Sequence, residues 1–72
     1  PALNQNQLQQ QVGMLMKQNG MAADTVTCAG GLEGVVDNET TCSVKGDGET
    51  TETSVKVTEV NGLLMNFQIY PA

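Results

Sequence analysis

Cys28 and Cys42 are the only cysteines in a chain of 72 residues, and they constrain its fold more than any other feature. A domain this short buries so little apolar surface that the gain barely offsets the cost of ordering the chain. It needs a staple, and these two thiols are the only covalent one available. Paired, they close a loop of about 15 residues, worth roughly 3 kcal/mol in the chain-entropy model. That is comparable to the stability a single small core supplies. Both cysteines lie on strand-like segments, which favours the bridge. The alternative is a pair of buried free thiols packing as small hydrophobes. A redox couple is disfavoured, because the chain has no Cys-x-x-Cys spacing and no arginine or histidine to depress a thiol pKa.

The apolar pattern gives one helix followed by strands. Over residues 3–20, Leu8, Val12, Leu15 and Met16 fall at i, i+4, i+7 and i+8, a helical stripe. Asn4 stands at the N-cap position with Gln7 as its capping-box partner, and Leu3 is placed to staple onto Leu8. Gln9, Gln10, Gln11 and Lys17 fall on the polar side, and Asn19-Gly20 is a left-handed stop signal. Gly13 weakens the helix unless helix and sheet approach closely there. Downstream, residues 25–28, 40–45, 51–60 and 63–70 read as strands within a sheet region spanning 25–70. Gly46-Asp47-Gly48 reads as a turn between two of them. Residues 32–37 read as a turn or loop, with Leu32, Val35 or Val36 plugging the core.

The register of the last hairpin can be argued from its side chains. A two-residue turn at Asn61-Gly62 sets Val57 against Asn66 and Val55 against Gln68, which wastes the apolar face. A three-residue loop with Gly62 at a left-handed bulge position shifts the pairing by one. Val55 and Val57 then lie beside Met65, Phe67 and Ile69. The expected fold is α+β, a single domain over residues 1–72. One N-terminal helix packs on a four-stranded, mostly antiparallel sheet carrying the Cys28–Cys42 disulfide. The expected inward set is Leu8, Val12, Leu15, Met16, Val26, Val44, Val55, Val57, Met65, Phe67 and Ile69. Thr41, Ser43, Thr58, Asn66, Gln68 and Tyr70 form the outer face.

Charge removes several classes of function. Eight acids against three lysines give a net charge of −5, so there is no basic footprint for nucleic acid or for anionic lipid. No apolar run is long enough to span a membrane as a helix. Without histidine, the four-ligand Cys/His zinc sites and the serine triad lack their parts. Asp47-Gly48-Glu49 with Glu52 is too short for a calcium loop, and Gly30-Gly31 lacks the Gly-Lys-Ser/Thr of a phosphate loop. Glu59 shares parity with Val55 and Val57, but it reads as a strand-end residue reaching solvent. No catalytic residue, metal site or cofactor is expected.

What remains is surface. Leu64 and Tyr70 fall on the uncovered sheet face, and apolar and aromatic side chains of this kind are favoured at interfaces. Leu32, in the long loop 29–38, is either a core plug or a contact residue. The candidate interaction surface is therefore Leu32, Leu64 and Tyr70.

The stretch Val26-Thr27-Cys28, Leu32, Thr41-Cys42-Ser43-Val44, Asp47-Gly48, Val55-Lys56-Val57-Thr58-Glu59-Val60 and Asn61-Gly62 resembles a family in its order and spacing. That family comprises small secreted domains of unknown function in actinobacterial, notably mycobacterial, lipoproteins and cell-envelope proteins. Ala29 stands where the family often carries proline. The resemblance implies a disulfide, an exported protein and a lipid-anchored leader since removed, in keeping with a chain starting Pro1-Ala2-Leu3. It implies no catalytic residues. The expected function is a non-enzymatic secreted or envelope module that binds a protein or envelope component or acts as a spacer. The alternative is a small inhibitor or regulatory subunit acting through loop 29–38.

Overall fold

The computed structural model of the protein describes residues 1–72. Its elements run β1 (Ala2–Leu3), α1 (Gln5–Gln18), β2 (Thr25–Cys28), β3 (Leu32–Glu33), β4 (Glu39–Gly46), β5 (Glu49–Asn61) and β6 (Leu64–Pro71). The helix ends are set as the sequence indicates. Asn4 accepts from the Gln7 backbone N–H at 2.8 Å, while the Gln7 side chain accepts from the Asn4 N–H at 3.0 Å. At the other end, Gly20 takes φ +78°. The Gly20 N–H donates to the Lys17 carbonyl and the Met21 N–H to the Met16 carbonyl, a Schellman stop.

The main sheet is antiparallel in the order β2-β4-β5-β6. A second, two-stranded ribbon pairs β1 with β3, so residues 32–33 are a short strand rather than a loop. Leu3 and Leu32 face each other across this ribbon. At the Asp47-Gly48 turn both residues have positive φ, the pattern of a type I′ hairpin. Cys28 and Cys42 pair directly across β2 and β4 and are bridged. The bridge thus ties an edge strand to the interior of the sheet.

Val57 lies opposite Phe67 and Val55 opposite Ile69, the shifted register that the side chains ask for. The chain reaches it by a different route. The loop is the two-residue Gly62-Leu63, with positive φ at Gly62 alone; it moves the pairing two residues from that of an Asn61-Gly62 turn, and a β-bulge at Thr58 takes one of them back. The bulge has a second effect. By reversing parity beyond Val57, it turns Val60 inward and leaves Glu59 exposed.

The core comprises Leu8, Val12 and Met16 of α1, Ala23, both cysteines, Leu32, Val44, Val55 and Val57. Thr53 is buried with them, its hydroxyl donating to the Cys42 carbonyl at 2.9 Å. Leu15 departs from the expected inward set: it is half-buried on the flank of the helix and outside this cluster. Val26, Met65, Phe67 and Ile69 are also only half-buried. For the three β6 residues the reason is width. Four strands at about 4.8 Å spacing are wider than the stripe one helix covers. α1 packs over β2 and the β1 segment, leaving the β6 margin uncovered.

The glutamines of α1 have work that their polarity does not reveal. Cys28 stands on the open side of β2, where its backbone groups have no strand partner. Gln9 Oε1 accepts from the Cys28 N–H at 3.1 Å, and Gln5 Nε2 donates to the Cys28 carbonyl at 2.7 Å. Two glutamines one helical turn apart thus complete the edge strand beside the disulfide. Gln9→Met, which leaves the Cys28 N–H unpaired, is expected to lower the unfolding free energy by about 1–2 kcal/mol in urea titration. Gln10→Met, on the exposed side, is expected to change it by less than about 0.5 kcal/mol.

Candidate functional site

The three candidate surface residues separate in the structure. Leu32 is 1% exposed and belongs to the core cluster, which corrects its assignment to a contact surface. Pairing with Leu3 in the β1–β3 ribbon is what draws it in. The loop around it is tied down as well. The Gly34 N–H donates to the Pro1 carbonyl, the Asp37 N–H to the Val57 carbonyl, and Asn38 Nδ2 to the Glu33 carbonyl. Lys56 Nζ lies 3.5 Å from Asp37 Oδ1. Val35 and Val36 are its exposed large hydrophobics, but with its backbone tied down at these points loop 29–38 is not a free arm.

Leu64 and Tyr70 lie at opposite ends of β6, 74% and 41% exposed, on the face away from α1. The Tyr70 hydroxyl donates to Gln68 Oε1 at 2.7 Å, which holds the ring along the strand. Leu63, at the hairpin tip, is 92% exposed. On the helix-facing side of the same strand, Met65, Phe67 and Ile69 are half-buried. Two shallow hollows flank them. One, of about 250 Å³, is lined by Met16, Met21, Thr53, Ile69 and Tyr70. The other, of about 190 Å³, is lined by Leu3, Leu63, Leu64, Met65 and Phe67. β6 thus collects uncovered apolar surface on both faces. It carries no charged side chain from Leu64 to Pro71.

The polar groups are dispersed. Ser43 Oγ donates to the Glu52 carboxylate across β4 and β5 at 2.7 Å, and Glu59 accepts from Asn61. Asp47 and Glu49 share a hollow of about 160 Å³ beside the β4–β5 turn, with no third acidic partner. No group of three or more His, Cys, Asp or Glu side chains stands together as a ligand set. No helix is long and apolar enough to cross a membrane.

Two parts of this surface were hidden in the sequence. The half-exposed Phe67, Met65 and Ile69 alternate like any inward row, and only the width argument marks them as uncovered. The edge-covering role of Gln5 and Gln9 has one signal, their i, i+4 spacing beside the buried stripe.

A family model described as "Domain of unknown function (DUF4333)" matches residues 1–62, from the N-terminal strand to the β5–β6 turn. No curated protein and no solved structure matches the chain. The chain belongs to this family of small extracytoplasmic domains from actinobacterial lipoproteins and cell-envelope proteins. Its own fold is α+β, one N-terminal helix on a mostly four-stranded antiparallel sheet with the Cys28–Cys42 disulfide.

Proposed function

We propose that this DUF4333 domain is a non-enzymatic module of the cell envelope that binds protein through β6 and the sheet face beside it. One observation carries the reading. The two most exposed large hydrophobic side chains, Leu63 and Leu64, stand at the start of β6, Tyr70 is exposed at its other end, and the strand between carries no charge. Exposed apolar patches on small soluble domains mark interaction sites. The other exposed large hydrophobics, Met14, Met21, Val35 and Val36, are scattered over α1 and two connections, and the net charge of −5 opposes non-specific association. A catalytic role finds no support in the scattered carboxylates, whose neighbours are single hydrogen-bond partners on open faces.

The test is a binding screen of the folded domain against envelope proteins and glycans, repeated with Leu64→Lys and Tyr70→Lys together. Both positions are exposed, so the double variant is expected to keep its unfolding free energy within about 0.5 kcal/mol. It is expected to lose captured protein partners by at least about tenfold. Undiminished binding by the variant contradicts the proposal, as does reproducible turnover of a substrate without any binding.

A further inference from the structure

We infer that β6 pairs antiparallel with β6 of a second copy of this chain, joining two four-stranded sheets into one of eight strands. The inference rests on β6 as the surface the domain works through and names the partner at its edge. Three observations carry it.

The first is the contrast between the two edges of the sheet. β2 is four residues long, is bridged to β4, and has the Cys28 backbone covered by Gln5 and Gln9. β6 is eight residues long, uncharged and uncovered. Edge strands that stay unpaired are ordinarily blunted by a lysine, an inward charge or a covering element, and β6 has none of these. Its one proline, Pro71, lies at the very end.

The second is the direction of the backbone groups. The Val57 N–H and C=O both point to the β4 side, donating to the Asn38 carbonyl and accepting from Asp37. Val57 and Phe67 are therefore a non-hydrogen-bonded pair, and the Phe67 groups point to the open edge. At the strand end, the Ala72 N–H donates to the Glu52 carbonyl, fixing the same alternation. Met65, Phe67 and Ile69 thus each offer an N–H and a C=O outward.

The third is the order of the side chains. Leu64-Met65-Asn66-Phe67-Gln68-Ile69-Tyr70 is palindromic in character about Phe67. A two-fold axis through Phe67 sets it against its own copy, Met65 against Ile69, Asn66 against Gln68, and Leu64 against Tyr70. Phe67–Phe67 and Met65–Ile69 are then the hydrogen-bonded pairs, so every outward N–H meets an outward C=O. The Asn66 and Gln68 amides face each other on the outer side, and no carboxylate enters the seam. Such self-complementarity is what an isologous interface requires. On the inner side the two half-buried apolar rows become neighbours, and the surface that one helix is too narrow to cover is closed.

The test is sedimentation of the full 72-residue chain from about 1 μM to about 1 mM. The weight-average mass is expected to rise from 7.6 kDa toward about twice that value as the two β6 strands pair. Asn66→Lys with Gln68→Lys places like charges across the seam at exposed positions, and is expected to weaken the dimer at least about tenfold. Asn66→Glu with Gln68→Glu is expected to do the same, and mixing the two variants is expected to restore a dimer. A monomer throughout the series overturns the inference, as does a dimer indifferent to both charge variants. A heterologous partner bound at β6 without self-association overturns this inference and leaves the proposed binding function standing. Self-association without any heterologous partner does the reverse.

Discussion

Replacing Cys28 and Cys42 together by alanine is expected to lower the unfolding free energy by about 3 kcal/mol, the entropy of the loop the bridge closes. The bridged residues are 14 apart in sequence and face each other across β2 and β4. β2 is otherwise held by its four-residue pairing with β4 and by its packing against α1. The glutamine contacts from α1 converge on Cys28 itself, so loosening β2 exposes the helix-facing core as well. A bridge of this worth is a large share of the stability of so small a domain, so the variant is expected to be largely unfolded at 37 °C. Urea unfolding of the oxidised chain, the reduced chain and the double variant checks this. An unchanged midpoint in the double variant contradicts it.

The second large effect is expected at Leu32. Truncation to alanine removes a fully buried side chain from between the β1–β3 ribbon and the main core, and is expected to cost about 3 kcal/mol. The same substitution at Leu64 is expected to change stability by less than about 0.5 kcal/mol. The pair distinguishes a core residue from a contact residue directly, since a surface role for Leu32 requires the two to behave alike. Thermal or urea unfolding of Leu32→Ala beside Leu64→Ala gives the comparison.

The features legible in the sequence were those with local causes. Asn4 and Gln7 cap the helix through contacts three residues apart, and Asn19-Gly20 ends it through the conformation glycine alone adopts easily. The register of β5 on β6 was legible because a slip by one residue turns Val55 and Val57 against polar partners. The bulge that delivers this register was not legible. A loop change and a bulge at Thr58 shift the strand equally, and only the placement of Val60 and Glu59 separates them. The β1–β3 ribbon was missed because two-residue strands carry no periodicity, so Leu32 remained ambiguous between core and surface. At the candidate surface, Leu64 and Tyr70 were legible from parity alone. Exposure of Phe67 was not, since it depends on where the helix lies across the sheet.

The fold divides its two sheet edges: helix glutamines and a disulfide cover one, and the other stays open. Amide hydrogen exchange of the oxidised chain, followed residue by residue in solution dilute enough to keep it monomeric, tests that division most directly. The Cys28 N–H, on an edge strand, is expected to exchange slowly because Gln9 holds it. On the opposite edge, Phe67 and Ile69 are expected to exchange fast while Gln68, which points toward β5, stays protected. Fast exchange at Cys28, or protection at Phe67 and Ile69 equal to that at Gln68, would contradict it.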